Sequence, residues 1–479
     1  MNHLIRITLA GALFGFAAPP FSHADLADLP SMGDTAGQLI SPEQEKQFGE
    51  SFMRQIRRSG KLMQDPELND YLQRLGYQLA AASDAPGYGF TFFLVDDPSI
   101  NAFAGPGGYI GVHTGLLLAA RNESELAGVL AHEIAHVTQR HLLRAYEAAQ
   151  RMSLPTAAAL IAAILIGSQD SQAGQAALVG LQAASAQYQI NFTRANEHEA
   201  DRVGIQTLVR SGIDPRGMPD FFERLHQQSR LYGNRLPEFL STHPVTTSRI
   251  AETAARAEAH AGEGRRDSLA FQLARTSLQV GASGQLRDLV ADYEARAKDL
   301  GEAERFGYAL ALWRTGDHEG ARRELTRLRQ QNPDRLHYPL NLARLELERN
   351  QPARALALYE ELLELNPGNV TVTRAYAAAL LSHDEPARAR KLLTSLIQRG
   401  ENRQPELYRL LAEAAGKEGR RRESHEATAE YYYLNGQTHA AIDQLELALQ
   451  VPGLEFYDNA RISARLHTFK NEARQEDAR

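Results

Sequence analysis

The sequence contains no cysteine and a single tryptophan among its 479 residues. The absence of cysteine excludes disulfide bonds and a lipid-modified N-terminal cysteine, so stability must come from a hydrophobic core. A chain of this length, with 43% hydrophobic and 23% charged residues, can build such a core and is expected to form two or three domains.

The sequence also lacks an excess of positive charge. Its formal net charge is -7, and the short basic run Arg420–Arg422 is typical of a solvated helix face. We therefore expect no nucleic-acid partner.

Apolar runs long enough to cross a membrane are missing as well. At the N-terminus, Arg6 precedes an apolar stretch, Ile7–Phe21, and residues 22–24 read Ser-His-Ala, the small-x-small pattern of a cleavage site. Residues 1–24 are thus predicted to be a secretory signal peptide. The alternative is a membrane anchor, but the stretch is shorter than the ~20 apolar residues that a span requires. We expect the protein to be peripheral to a membrane at most.

A second apolar segment, residues 154–181, is rich in alanine, glycine and leucine. Its most apolar part, residues 154–167, is again too short for a membrane span. Three interpretations remain open: a helix packed in the core, an interfacial segment, or a mobile lid.

The C-terminal half carries an internal repeat of 34 residues. The markers that recur at this spacing are Ala321, Ala355 and Ala389, the pairs Asn332-Pro333 and Asn366-Pro367, and the turn residues Gly316, Asn350 and Asp384. A 34-residue period with a small residue in the second helix and a proline after it is typical of tetratricopeptide repeats, in which helical hairpins stack. In the fourth unit Glu423 replaces the alanine, so that unit is degenerate.

The strongest chemical signal is the segment His132-Glu133-Ile134-Ala135-His136. On a helix, positions i and i+4 lie on one face, so the two histidines can direct two imidazole nitrogens at one metal ion. Glu133 lies beside them, where it can take a proton from a metal-bound water. The segment predicts a catalytic zinc site of a metallopeptidase.

A catalytic zinc site usually has three protein ligands. Glu197 and Asp201 are also spaced i and i+4, at the predicted start of a second helix, so one carboxylate can bind the metal while the other orients a ligand histidine. We expect Glu197 to be the metal ligand. Asp201 is expected to assist catalysis by orienting a ligand histidine. Glu199 lies on another face of the helix and is a less favoured candidate for the third metal ligand. The alternative is that these acidic residues only complement the dipole at a helix N-terminus.

Substrate binding is expected just before the metal-binding helix. Gly107, Gly108 and Tyr109 lead into a short β-rich stretch that ends near His113. The glycines leave room for another backbone, and an open edge of this strand would bind an extended peptide by β-augmentation.

Taken together, these motifs resemble one family. The matching residues are Asn101-Ala102-Phe103-Ala104-x-Pro106-Gly107-Gly108, Gly115-Leu116-Leu117, His132-Glu133-x-x-His136-x-x-x-Arg140-His141 and Glu197-x-x-x-Asp201. Residues 42–259 therefore resemble the zinc metallopeptidase family of the CAAX prenyl proteases, the heat-shock protease HtpX and the mitochondrial protease OMA. The resemblance implies one zinc ion (Zn2+) per subunit at His132, His136 and Glu197, with Glu133 as the base.

With the signal peptide and the repeats, the whole chain resembles periplasmic members of this family. That resemblance implies a protease and chaperone of the periplasm that degrades misassembled β-barrel proteins. Its implied partners are the outer-membrane β-barrel assembly machinery and its client proteins. The lack of transmembrane helices sets the chain apart from the integral-membrane relatives, so prenyl-protease activity is not carried over.

The resemblance also assigns a role to His243. His243-Pro244, followed by Arg249, matches the family pattern, in which the corresponding histidine lies over the metal and holds the enzyme latent. From the residues alone, His243 is a histidine in a loop, and a lone histidine is more often structural. The resemblance implies that His243 is regulatory and can serve as a fourth zinc ligand.

The predicted fold is α+β. A mainly helical zinc metallopeptidase domain with a small antiparallel sheet, residues 25–264, is followed by an all-α tetratricopeptide solenoid, residues 265–479. Three functions are compatible with this reading: a zinc endopeptidase of envelope quality control, a scaffold or chaperone for the barrel-assembly machinery with a latent peptidase, and a metal-dependent hydrolase of non-peptide substrates.

Overall fold

The structure, a computed structural model, describes residues 40–150, 183–232, 237–399 and 404–477. The predicted signal peptide, residues 1–24, and the apolar segment 154–181 lie outside these residues. Within the described ranges, no helix combines the length and the apolar character needed to cross a membrane.

The N-terminal half builds a small sheet among helices. In chain order its elements are α1 (Pro42–Arg58), α2 (Pro66–Ala81), β1 (Thr91–Val95), β2 (Ala102–Ala104), a 3-10 turn (Pro106–Gly108), β3 (Tyr109–His113), α3 (Thr114–Ala119), α4 (Glu123–Thr138), α5 (His141–Gln150), α6 (Ala183–Arg210), α7 (Gly217–Tyr232), α8 (Glu238–Thr242) and α9 (Thr247–Glu258).

The C-terminal half is entirely helical in its described part. Its elements are α10 (Leu269–Ala282), α11 (Leu286–Ala295), α12 (Glu302–Arg314), α13 (His318–Gln331), α14 (His337–Glu348), α15 (Pro352–Leu365), α16 (Val370–Ser382), α17 (Pro386–Gln398), α18 (Pro405–Lys417), α19 (Arg421–Leu434), α20 (Thr438–Leu449) and α21 (Phe456–Asp477). The predicted α+β architecture with a helical C-terminal solenoid is confirmed.

The small sheet has the strand order β1-β3-β2. Strands β2 and β3 form an antiparallel hairpin, but β1 and β3 are parallel, with Thr91 opposite Tyr109. The prediction of an antiparallel sheet is therefore correct for one pair and wrong for the other. The reason is the loop 96–101, which crosses the place next to β1 that β3 later occupies. Strand β2 then runs back at the edge, and β3 fills the centre in the direction of β1.

Both faces of the sheet are buried. Successive residues of a strand point to opposite sides, so Phe92 and Ile110 enter the main core with α2 and α4, whereas Phe93 and Tyr109 face α1. Helix α1 approaches the 3-10 turn closely because Gly49 has no side chain. A Cβ atom there would lie 2.7 Å from the carbonyl oxygen of Pro106.

The main core extends beyond the predicted domain boundary at residue 264. Phe271, Ala274 and Leu278 of α10 belong to the same hydrophobic cluster as α2 and α4, while Leu273 of α10 belongs to the cluster of the solenoid. Helix α10 thus joins the two halves. The boundary itself stays a prediction.

The solenoid has the repeat expected from the sequence. The three alanines of the 34-residue period are each 0% exposed, as required where two helices approach closely. The turn residues of the same period adopt the left-handed conformation, with φ of 91° at Gly316 and 58° at both Asn350 and Asp384. This conformation ends the first helix of a hairpin and starts the return of the chain.

The solenoid packs back on the N-terminal half at two places. At the start of α2, Glu67 pairs with Arg344 at 2.5 Å and accepts a hydrogen bond from Asn341. At the far end of the solenoid, Arg54 of α1 donates to the Tyr433 hydroxyl at 3.0 Å and lies 3.2 Å from Glu472. Helix α1 therefore has the sheet on one side and the last repeats on the other.

We expect Arg54→Met to loosen α1. Arg54 is 8% exposed, and removing one partner of a buried hydrogen-bonded pair costs about 1–3 kcal/mol. Amide hydrogen exchange in residues 42–58 should accelerate by roughly tenfold or more. The control is Arg74→Met, whose ion pair with Asp70 is on the surface. Equal exchange in both variants would show that the contacts of Arg54 do not hold α1.

Candidate metal centre

Four side chains from three parts of the chain converge on one point. His132 and His136 come from α4, Glu197 from α6 and His243 from the residue after α8, and one ligating atom of each lies within 4.8 Å of the others. The two Nε2 atoms of His132 and His136 are 3.0 Å apart. Each lies 3.3 Å from an oxygen of Glu197. The structure thus brings together all three predicted ligands and the predicted fourth.

Glu197 and Asp201 lie inside a helix, not at its start. Helix α6 begins at Ala183, well before Glu197. The placement at a helix N-terminus was therefore wrong, and the alternative that these carboxylates only complement a helix dipole is excluded, because that effect is confined to the first turn. The i, i+4 spacing still places both on the face that meets α4.

Behind the converging side chains lies an ion pair network centred on Arg249 of α9. Its guanidinium contacts both oxygens of Asp201 at 2.7 Å and Glu197 at 2.8 Å. Asp201 in turn lies 3.0 Å from Nδ1 of His132, on the side of the ring away from the other ligands. Asp201 is thus placed to orient His132, as the sequence predicted. The central position of Arg249 was not foreseen.

Glu133 is directed towards the same point. It is 1% exposed, and its Oε1 atom has no hydrogen-bond partner among the residues that the structure describes. The backbone N–H of Ala104 on β2 donates to its carboxylate. Burial raises the pKa of Glu133. A buried carboxylate with one unused oxygen can accept a proton from a water bound there.

His243 covers this arrangement. Its Nδ1 atom lies 3.1 Å from Glu197 and 3.3 Å from Nε2 of His132, and its Nε2 atom lies 3.4 Å from the unused Glu133 oxygen. The ring stacks on Phe239 of α8 with centroids 4.9 Å apart. His243 therefore stands between the three predicted ligands and the predicted base.

A contact that the sequence did not reveal supports His136. Helix α4 ends at Thr138 and α5 starts at His141, with Arg140 between them at φ 54°. This break places Nδ1 of His141 2.9 Å from Nδ1 of His136. Glu199, which the sequence argument set aside, meets the other side of the His141 ring at 3.2 Å.

The protonation of the site suits a metal ion. Burial lowers the pKa of His136 to about 3, which keeps it neutral. Burial opposes ionisation of Glu197, but His243 and His132 hold its pKa well below its usual range. Burial also opposes protonation of His132, yet Asp201 and Glu197 raise its pKa to about 9, so without a metal the ring carries a proton that a bound metal ion would displace. Imidazole nitrogens with a carboxylate oxygen form a donor set for zinc and similar metals.

The predicted substrate strand is not open. Strand β3 is paired on both sides, so the expectation that its edge accepts a peptide was wrong. Gly107 and Gly108, with φ of 69° and 75°, are used for close packing: a Cβ on Gly107 would lie 3.0 Å from Gly49, and one on Gly108 would lie 2.6 Å from Tyr88. Strand β2 forms the outer edge of the sheet on the side of α4.

Comparisons with known proteins agree with these features. The profile of peptidase family M48 matches residues 66–257, and a tetratricopeptide-repeat profile matches residues 346–414. The chain is 36% identical over 471 residues to the beta-barrel assembly-enhancing protease of Escherichia coli (strain K12), across 97% of this chain and 96% of the relative. Identity to the protein of the same name from Yersinia pestis is 35% over 442 residues, across 91% and 90%.

A more distant relative matches about a third of the chain. The mitochondrial metalloendopeptidase OMA1 of Arabidopsis thaliana is 33% identical over 165 residues, which cover 34% of this chain and 31% of the relative. The similarity to the two bacterial proteins thus extends over both halves of the chain.

We expect Arg249→Gln to destabilise the metal-free protein by about 3–5 kcal/mol, because it leaves two buried carboxylates without their cation. Arg249→Lys should lose less, since it keeps the charge but not the two-pronged contact. Differential scanning calorimetry in the presence of a chelator measures the effect. Arg256→Gln on the same helix, which breaks an exposed pair with Glu252, is the control. Identical transitions for the Arg249 and Arg256 variants would contradict the expectation.

Proposed function

Because the chain belongs to peptidase family M48 and is a metalloendopeptidase, we propose that it uses zinc and works in the periplasm on proteins of the outer-membrane assembly route. The observation that carries this proposal is the convergence of His132, His136 and Glu197 on one point beside the buried Glu133. One zinc ion per subunit fits this set of donors.

Each residue around the proposed zinc has a separate role in peptide hydrolysis. When bound, zinc lowers the pKa of a coordinated water to about 7 and polarises the scissile carbonyl. Glu133 takes the proton of the attacking water and delivers it to the leaving amine. Asp201 keeps the His132 ring oriented, and Arg249 keeps Asp201 and Glu197 in place.

An extended substrate has a suitable place along β2. The Asn101 carbonyl accepts from the His113 N–H, and the Gly105 N–H donates to Tyr109, so the groups of these residues point towards β3. By the alternation of an antiparallel pair, the backbone groups of Ala102 and Ala104 point away from β3. That is the side of Glu133. We therefore place the substrate backbone on the β2 edge.

In this arrangement Gly107, Gly108 and Tyr109 shape the end of the substrate edge. Gly107 and Tyr109 pack on α1 and Gly108 packs against Tyr88, which fixes the turn between β2 and β3. These residues position the edge and do not pair with the peptide.

The partner proposal comes from the relatives. Two proteins that match nearly the whole chain are named for assisting β-barrel assembly. We propose that this chain likewise works with the outer-membrane β-barrel assembly machinery and its client proteins, and that the solenoid recruits them. Extended surfaces of stacked helical hairpins are used for such binding. Membership in a peptidase family favours this over hydrolysis of non-peptide substrates.

A second function, a scaffold or chaperone with a latent peptidase, is favoured by the position of His243. Its ring lies between the ligands and Glu133, where it would obstruct a substrate that approaches the base. Helix α8, which precedes His243, is tied to the loop before β2 by a 3.0 Å hydrogen bond from the Phe239 N–H to the Ile100 carbonyl. We propose that α8 and His243 must move together before a peptide reaches the β2 edge.

We expect the purified full-length chain to hold about one zinc ion, and Glu133→Gln to keep that zinc while losing cleavage by about 100- to 10,000-fold, the usual contribution of a general base. Metal analysis and cleavage of an unstructured protein measure the two properties. The Ala variants of His132, His136 and Glu197 should lose zinc. Unchanged zinc in Glu197→Ala would place the third ligand elsewhere.

The same Glu133→Gln variant distinguishes the two functions. If cells that carry it show the defects of a complete deletion, the peptidase activity is the function. If they behave as wild type although the purified variant does not cleave, the scaffold or chaperone role is the main one.

We expect His243→Ala to cleave an unstructured protein about three to ten times faster than wild type, because it removes a closed state that limits the active population. The control is His260→Ala, which changes a histidine whose side chain is 41% exposed at the end of α9. Loss of activity in His243→Ala with zinc retained would contradict latency and make His243 a participant in the reaction.

A further inference from the structure

We propose that His141 and Glu199 are positioning residues that hold the ring of His136 in the one tautomer that can bind a metal. This inference rests on the proposed function, because it takes His136 as a zinc ligand. It explains two residues that the reaction itself does not use.

The contacts form a chain that leads from the metal site to the surface. Nδ1 of His136 lies 2.9 Å from Nδ1 of His141, and Nε2 of His141 lies 3.2 Å from Glu199. Arg144, one turn along α5, donates to the same Glu199 oxygen at 2.6 Å. His141 is 4% exposed, whereas Glu199 is 29% exposed on its side chain. A buried imidazole is thus fixed from both ends.

Counting protons along this chain leaves one arrangement. An ionised carboxylate only accepts hydrogen bonds, so Nε2 of His141 must carry the hydrogen that faces Glu199. In a neutral ring, Nδ1 of His141 is then an acceptor, and Nδ1 of His136 must donate to it. This leaves Nε2 of His136 with its lone pair directed at His132 and Glu197, as a metal ligand requires.

The break between α4 and α5 allows the contact between His141 and His136. On a continuous helix, side chains five positions apart point about 140° away from each other, so His141 could not reach His136. Arg140 adopts φ 54°, a conformation that non-glycine residues rarely take. Such a residue persists only where its surroundings over-determine it. Here the surroundings include the His136–His141–Glu199 chain.

The two ligand histidines of α4 are therefore supported in different ways. Asp201 faces His132 directly at 3.0 Å, whereas His136 is supported by a second imidazole with a carboxylate behind it. Residues in such supporting positions affect metal affinity by about 10- to 100-fold when they are removed.

The test compares two replacements of His141 in the full-length protein. His141→Phe keeps a ring of similar volume but offers no acceptor, and should weaken zinc binding by about 10- to 100-fold. His141→Asn places its Oδ1 atom where Nδ1 was, and should recover most of that loss. Zinc affinity is measured by competition with a chromogenic chelator, and the absorption spectrum of the cobalt-substituted protein reports the geometry of the ligands.

The matched control is His260→Phe, which removes a histidine that also contacts a carboxylate, Glu263, but on the surface. It should leave the zinc affinity unchanged. Wild-type affinity in His141→Phe would overturn the inference. So would equal loss in the Phe and Asn variants, because an acceptor at this position would then make no difference to zinc binding. If His136→Ala retains full zinc affinity, the proposed function fails at that ligand, independently of the His141 variants.

Discussion

The structure depends on neutralising carboxylates that are buried close together. Glu133, Glu197 and Asp201 are between 1% and 3% exposed, and an isolated buried carboxylate costs several kcal/mol. Arg249 supplies one permanent positive charge beside two of them. A divalent cation would supply two more, so that three negative charges meet three positive ones. This balance gives a physical reason for α4, α6 and α9 to converge, because each contributes part of the set of charges.

Much of this centre could be predicted because its spacing is local. Two histidines at i and i+4, and two carboxylates at i and i+4, define faces of helices whatever the rest of the chain does. The same holds for the solenoid, where a 34-residue period marks buried alanines and left-handed turns without any knowledge of the packing. The resemblance to a metallopeptidase family, confirmed by the comparisons, rests on these same local patterns.

What could not be predicted depends on contacts between distant residues or on a single backbone angle. The sequence around Arg140 contains neither glycine nor proline, so it does not predict a helix break. The contact of His141 with His136 depends on that break and could not be predicted either. The parallel pairing of β1 with β3 depends on the path of one loop. The ion pairs of Arg249 with Asp201 and Glu197 could not be predicted, because the two carboxylates are about 50 residues away in the sequence. No local pattern links them to Arg249.

The contact between Arg54 and Tyr433, 379 positions apart, has a consequence for the order in which the protein is completed. Helix α1 belongs to the earliest described part of the chain, yet one of its faces is covered only by the last repeats. A ribosome delivers those repeats at the end of synthesis. Until then the helix that backs the turn at Gly107 lacks its contacts with Tyr433 and Glu472. The packing of α1 behind the substrate edge is therefore completed only after the last repeats have been synthesised.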